Sequence, residues 1–577
     1  MLALLIAASA SCRSTPPEQA SVTSAPLEAV SGEASGAESA RRGHGDIARS
    51  ILPGPPRGAP PAARGKASCA TTRHPGGDWP ALNHDLRNSR SQPAEQTIGV
   101  DESSALRPAW SFAAGDVGAT GGMRSTPIVA HGCVYLAFGQ GYLGDRGDVV
   151  ALNADTGELV WHAQLDGSVL GLAAANGMIY ATPSSGTRGD VVLPVVTEDY
   201  QPGGSYAVAF NARTGKVAWT SERLDDGNAS NGTFVNASPL VFEAGNRSTL
   251  FVPLSGGSGD GARVPMYFLD ARTGSTIRKA YALSPAEYEA GFGGTGIWAT
   301  AAYDPTTQHL YAGTADSDGH TRQHPYNNAL LKIDANPRRA TFATIVAAFS
   351  GTTEHANLDS LIGYPRNPLC GLAANGAPLN LPTFFDTSAA PECLELDLDF
   401  GASPNLYADG TGRLKVGALQ KSGLYHSVDA AAMTADWAFF VGPGGAAMDA
   451  GTAAVGDGDI FLRATPNLLF NLGQDRGALG WVALTELELF AYQPVTLAND
   501  VLYAINDTGF LLGFDARTGG PLLHRLIAAD GGFDQCLGVG AGVAVARNTV
   551  YAPCDAGGLH DLAGLPGPPG GLVAYRS

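Results

Sequence analysis

The feature that most constrains this chain is a phrase that recurs with a period of about sixty residues. It reads VVALNADTGELVWHA at 149–163, YAVAFNARTGKVAWTS at 206–221, MYFLDARTGSTIRKA at 266–280, LLKIDANPRRATFATI at 330–345, YHSVDAAAMTADWAFF at 425–440 and LLGFDARTGGPLLHR at 511–525. Each copy is an apolar or alternating strand, a turn and a second strand. Asn or Asp opens the turn, and in four copies Gly closes it, supplying the positive φ that a tight hairpin requires. An aromatic in the second strand, such as Trp161, Trp219 or Trp437, is positioned to pack on the neighbouring unit. Stretches such as TPIVAHGCVYLAF (126–138), PVTLANDVLYAI (494–505) and VAVARNTVYAP (543–553) supply a second strand pair, so the unit has four strands.

Six hairpins turn at Asn153, Asn211, Asp270, Asp334, Asp429 and Asp515, and a degenerate copy at GWVALTELELF (480–490) makes seven. The terminal GGLVAYRS (570–577) needs an outer strand, and RPAWSFA (107–113) supplies it from the other end of the chain, making eight. A solenoid would need no such loan. The expected fold is all-β: an eight-bladed β-propeller of four-stranded blades over residues 76–577. A chain of 577 residues exceeds the ~250–300 at which a single core stops growing, and a radial array removes that difficulty. Most of the 75 glycines then serve as turn residues.

Residues 1–12, MLALLIAASASC, are an apolar run ending in small residues and a Cys, the pattern of an export signal. A Cys in that position resembles a bacterial lipobox, which implies a lipidated Cys12 and a periplasmic or membrane-anchored protein. Residues 13–75 are rich in Pro, Ala, Ser, Gly and Arg, the composition of a disordered tether. Beyond Cys12 six cysteines remain, an even number that suits disulfides in an exported chain. Cys370 and Cys393 bracket one long loop, Cys536 and Cys554 lie on neighbouring apolar segments, and Cys69 with Cys133 is what is left. A net charge of −18 repels phosphate backbones and so argues against nucleic acid as a partner.

The repeat is similar to the tryptophan-docking repeat of PQQ-type propellers, which non-catalytic scaffold lipoproteins also carry. Three stretches are more specific. GGDWPALNHDLRNSRSQ (76–92) looks like the N-terminal segment of quinoprotein alcohol dehydrogenases, and GTGIWATAAYDPTTQHLYAGTAD (294–316) like their central Trp-containing blade. DLDFGASPNLY (397–407) with VGALQKSGLYHSVDA (416–430) resembles their catalytic blade, most closely in the polyvinyl-alcohol-dehydrogenase branch. The resemblance implies PQQ and Ca²⁺ as cofactors, an alcohol as substrate and Trp298 as the floor on which the quinone stacks. Asp316 stands where the family has an Asn that binds Ca²⁺, and Asp is an equally hard oxygen donor. Glu198 falls near the family's Glu ligand, with Asp199 as its competitor. Asp399 matches the general base and a further metal contact, and Lys421 the cation beside the quinone oxygens.

The residues also admit other readings. Glu395, Asp397 and Asp399 alternate, so they would share one strand face and repel unless a cation or pocket sits there. Asp316, Asp318, His320 and His324 could instead form a small surface metal cluster. The chain lacks the adjacent Cys pair of methanol-type members, and it has no CxxCH haem site, so electrons would leave to a separate carrier such as cytochrome c. Two functions follow: an exported quinoprotein alcohol dehydrogenase, or a non-catalytic propeller lipoprotein used as a binding or assembly scaffold.

Overall fold

The computed structural model describes residues 63–577 apart from 120, 124, 140–143, 145, 188–190, 193–194, 197–200, 225–232, 256–262, 316–323, 352–397, 443–450, 465–466, 487–492, 538–539, 541 and 556–568, with backbone alone for the described residues within 186–203. Among the described residues, eight antiparallel four-stranded sheets form a ring, as the repeat requires. The inner strands of blades 1 to 8 are Ile128–Ala130, Leu172–Ala175, Leu240–Ala244, Ala302–Asp304, Asn405–Ala408, Ala454–Gly456, Thr496–Ala498 and Ala544–Ala546. Blade 8 is closed by Arg107–Ala113, which pairs antiparallel with Gly571–Arg576 and sets Ser111 opposite Val573. The loan of an outer strand from the opposite end of the chain is therefore real.

Adjacent blades are joined through the repeat's own Trp and Gly. A Cβ at Gly274 of blade 3 would lie 2.4 Å from a ring carbon of Trp219 on the outer strand of blade 2. Gly274 also has φ +74, so both the turn and the indole exclude a side chain there. The Trp219 indole N–H donates to the Ala271 carbonyl on the same turn at 3.1 Å. The ring-on-glycine contact recurs with Trp110 on Gly157, Trp437 on Gly477 and Trp481 on Gly519, and the indole bond recurs from Trp437 to Gln474 O and from Trp481 to Ala516 O. Between blades 3 and 4, where the outer strand carries no Trp, Phe242 stacks on Tyr303 at 4.3 Å instead.

Attachment to the ring begins earlier than composition suggested. Ala63–Arg64 adds a fifth strand to blade 1, with Arg64 opposite Trp161, and Cys69 is disulfide-bonded to Cys133. Residues 63–75 thus lie along blade 1, fixed by backbone pairing and a covalent bond that amino-acid content does not register. The Cys536–Cys554 disulfide forms as well, whereas Cys12, Cys370 and Cys393 lie outside the described residues.

Inner strands present their outermost backbone groups to the axis, where no further blade can pair with them. The segment 77–92 fills that role by running round the ring. Its backbone exchanges hydrogen bonds with Val129 of blade 1 through Trp79, and its carbonyls accept from Ala174 of blade 2 through Pro80. Leu86, Arg87, Ser89 and Arg90 then accept from Tyr303, Leu406, Val455 and Leu497, the second residues of the inner strands of blades 4 to 7. Gln92 donates to Val545 O of blade 8 at 3.0 Å.

Arg90 is the fixed point of this segment. It is wholly buried, and all five of its N–H donors are used: on Val495 O, Leu82 O, Thr126 Oγ1, Thr496 Oγ1 and Val543 O. Three blades, 7, 8 and 1, meet through that one side chain. Burial pulls the guanidinium pKa down to about 9, which marks the cost of placing a cation there. Arg90→Met keeps the stem and removes all five donors that tie the three blades together, so it should destabilise the protein by about 3–5 kcal/mol, read as a lower urea midpoint; Arg90→Lys should fall between.

Candidate active site

The start of an inner strand and the turn after the second strand lie at the same end of a blade, because the two strands are antiparallel. Trp298 precedes the inner strand of blade 4, Asp399 precedes that of blade 5, and Lys421 sits in the turn after Leu414–Leu419 of blade 5. Three sequence-predicted residues, far apart in the chain, are thus delivered to one end of the ring.

There they meet. The Trp298 indole N–H donates to Asp399 Oδ2 at 2.8 Å, and Lys421 Nζ donates to the same oxygen at 3.4 Å. Lys421 Nζ also lies over the Trp298 ring, 4.9 Å from its centroid. Asp399 and Lys421 are 7% and 4% exposed, so the pair sits at the edge of solvent rather than in it.

Each member is held by its own local structure. Ile297 N–H donates to Leu254 O of blade 3, and Gly296 O accepts from Ala315 of blade 4, so the neighbouring blade and its own blade both grip the Trp298 segment. Thr295 has φ +65, an unfavourable conformation for a β-branched residue, three positions before Trp298. Lys421 occupies a four-residue turn closed by the Gly423 N–H on Gln420 O, with Gly423 at φ +81. From that turn the Lys421 amide donates to Asp399 O at 3.0 Å.

Asn88 links the site to the axial segment. Its side-chain amide donates to Thr300 O at 2.9 Å and to Pro404 O at 3.0 Å, two residues after Trp298 and five after Asp399. The Thr300 N–H donates in turn to Ser403 Oγ at 3.2 Å. Asn88, Gln420 and His426 were not singled out by sequence. All three lie inside quoted motifs, and the signal that marks them is a polar residue in a position the fold must bury.

Glu198, Asp199, Asp316, Glu395, Asp397, Asp318 and His320 lie outside the described residues. His324 is described and engaged: Nε2 is 3.2 Å from Glu287 Oε1, and Nδ1 accepts from the Tyr326 N–H. No cluster of three or more His, Cys, Asp or Glu occurs among the described residues. As a receptor for a planar, anionic quinone the set fits, since it joins an aromatic face to a cation and a carboxylate. For Ca²⁺, the described residues contribute one carboxylate, that of Asp399.

A family model described as outer membrane protein assembly factor BamB matches residues 98–287. The chain is 24% identical over 280 residues to quinohemoprotein alcohol dehydrogenase ADH IIB of Pseudomonas putida, covering 45% of this chain and 37% of that protein. It is 24% identical over 271 residues to methanol dehydrogenase [cytochrome c] subunit 1 of Methylobacterium organophilum, covering 41% and 39% respectively. The matched stretch is thus under two fifths of either relative. Among solved structures, a europium-containing methanol dehydrogenase superposes with a TM-score of 0.61 at 15% identity, over 87% of this chain and 98% of that one. Quinohemoprotein alcohol dehydrogenase from Comamonas testosteroni gives a TM-score of 0.59 at 14% identity, over 86% and 80%. The chain folds as an eight-bladed propeller, the architecture it shares with these solved structures. Over less than half of its length, its sequence is similar to those of PQQ-dependent alcohol dehydrogenases.

One buried group near the site titrates abnormally. Burial between Phe349 and Phe400 pushes the His426 imidazole down to about 4 from 6.5. The folded protein keeps it neutral while the unfolded chain protonates near 6.5, so its contribution is complete above that pH and is lost as pH falls towards 4. The loss is on the order of 3 kcal/mol. Urea unfolding at pH 7 and pH 4.5 should show a smaller acid-induced loss in His426→Gln than in the wild type.

Proposed function

We propose that this protein is an exported alcohol dehydrogenase that uses PQQ with Ca²⁺ at the axial end of blades 4 and 5. The observation that carries the reading is the single oxygen, Asp399 Oδ2, shared by the Trp298 indole and the Lys421 ammonium. A propeller used only as a scaffold has no need for a carboxylate, a cation and an aromatic face converging at one end of its ring. Bound PQQ would supply the two-electron acceptor and Ca²⁺ the Lewis acidity.

The chain's own residues then have distinct tasks. Asp399 takes the hydroxyl proton of the alcohol, its carboxylate oriented by two donors on one oxygen. Lys421 places a positive charge where negative charge develops at the ring oxygens. Trp298 offers a rigid face that fixes the plane of the ring and excludes water from one side. Glu198 and Asp316 complete the metal's ligands together with Asp399. Electrons pass to a separate carrier, with cytochrome c suggested by the name of the methanol dehydrogenase relative. Residues 1–12 direct export, Cys12 anchors the chain to a membrane, and the stretch that follows spaces the propeller from it. No helix among the described residues is long and apolar enough to cross a membrane.

A second reading, a non-catalytic binding or assembly scaffold, draws support from the family model described as BamB. That match ends at residue 287, before Trp298, Asp399 and Lys421, so it reports the repeat and not the site. The two readings part on one measurement. The purified protein, supplied with PQQ and Ca²⁺, should reduce an artificial dye with one or more of a panel of primary, secondary and polymeric alcohols. Asp399→Asn should keep PQQ binding and lose about 10²–10⁴-fold in turnover. Failure of the wild type both to bind PQQ and to turn over would leave the scaffold.

A further inference from the structure

Asp399 has no strand to hold it. It lies six residues ahead of Asn405–Ala408, in backbone that belongs to no sheet. The ladder that fixes the rest of blade 5 therefore stops short of the residue whose position matters most, and isolated bonds place it: the Lys421 amide on Asp399 O, the Phe400 amide on Thr314 O, and side-chain bonds to the same segment.

Gln420 supplies one of these bonds. It is wholly buried, and its amide Nε2 donates to the Leu398 carbonyl at 2.8 Å. That carbonyl can only accept, so the amide oxygen must face the other way. There it accepts from the Ser422 hydroxyl at 2.9 Å and lies 2.9 Å from His426 Nε2. An acceptor at that distance requires the proton on Nε2, which fixes the tautomer of the neutral imidazole. The orientation of the whole chain, His426 to Gln420 to Leu398, is thus determined by which groups can donate.

Gln420 and Lys421 are neighbours, as are Leu398 and Asp399. Two consecutive residues of the turn therefore clamp two consecutive residues of the opposite segment: Gln420 Nε2 on Leu398 O, and the Lys421 amide on Asp399 O. His426 stands on the central strand Leu424–Asp429, between the rings of Phe349 and Phe400. Its position is set by sheet and core, and it passes that rigidity through Gln420 to the site.

We propose that Gln420 is a positioning residue, anchored by His426, which sets the distance from the Asp399 carboxylate to the Trp298 indole and the Lys421 ammonium. Its side chain is wholly buried and acts on the site through Leu398. The inference rests on the proposed dehydrogenase only for its effect on turnover; its effect on Trp298 is independent of that reading.

The test uses full-length protein labelled with 5-fluorotryptophan, in which Trp298→Phe assigns one of seven ¹⁹F resonances. Gln420→Leu should move the Trp298 resonance by more than its linewidth and leave the other six in place. His426→Phe, which keeps an aromatic ring between its neighbours but removes the donor, should move it in the same sense, and His426→Gln should restore it. With PQQ, Ca²⁺ and an alcohol, Gln420→Leu should lower kcat by about 10–100-fold with KM changed much less. An unmoved Trp298 resonance in folded Gln420→Leu overturns the proposal, and if that variant does not fold, an unmoved resonance in His426→Phe does so. A wild type without PQQ binding or turnover defeats the dehydrogenase instead, while the fluorine shift still decides the role of Gln420.

Discussion

Everything in this molecule is referred to a strip of sixteen residues at its axis. A propeller built from radial sheets has a weak point where the inner strands converge, since their amides and carbonyls face a space too narrow for another blade. Segment 77–92 meets that need by hydrogen-bonding to the inner strands one after another, and Arg90 fixes its path. A buried guanidinium satisfied only by carbonyls and hydroxyls is unusual, because most buried cations are paired with an acid. Here the five directed donors serve geometry: they require three blades and the segment itself to stand at one set of distances.

The candidate site inherits its dimensions from that strip. Trp298 and Asp399 belong to different blades, and a 2.8 Å hydrogen bond between them tolerates little relative movement. Asn88 reaches from the strip to the backbone behind each of them, while the Gln420–Lys421 turn settles the register within blade 5. The axial segment and the turn are therefore two levels of the same scaffold, one acting between blades and the other inside a blade.

What could be read from the sequence was what repeats or matches a motif. Blade number, four-stranded blades, the tryptophan contacts and the closing role of 107–113 all follow from periodicity and from one missing strand. The convergence of Trp298, Asp399 and Lys421 was legible only through resemblance, because nothing local in LDFGAS or LQKSG says that the two approach each other. Arg90, Asn88 and Gln420 were illegible for a different reason. Their partners are main-chain carbonyls, which every residue possesses, so no complementary letter elsewhere announces the contact. Composition likewise placed residues 63–75 in a tether, because a disulfide and two backbone pairs do not alter composition.

The closure of blade 8 has a consequence for how the molecule comes into being. Its outer strand, 107–113, is made long before its partner, 571–576, and the axial strip is made before every blade that it touches. No blade can be sealed to the strip until it emerges, and the ring cannot shut until 571–576 has appeared. Folding must therefore wait on contacts between segments far apart in the chain, which carry a large loop-closure entropy. A chain of this kind stays an open circle while it is being made, and it acquires an inside only once 571–576 has reached 107–113.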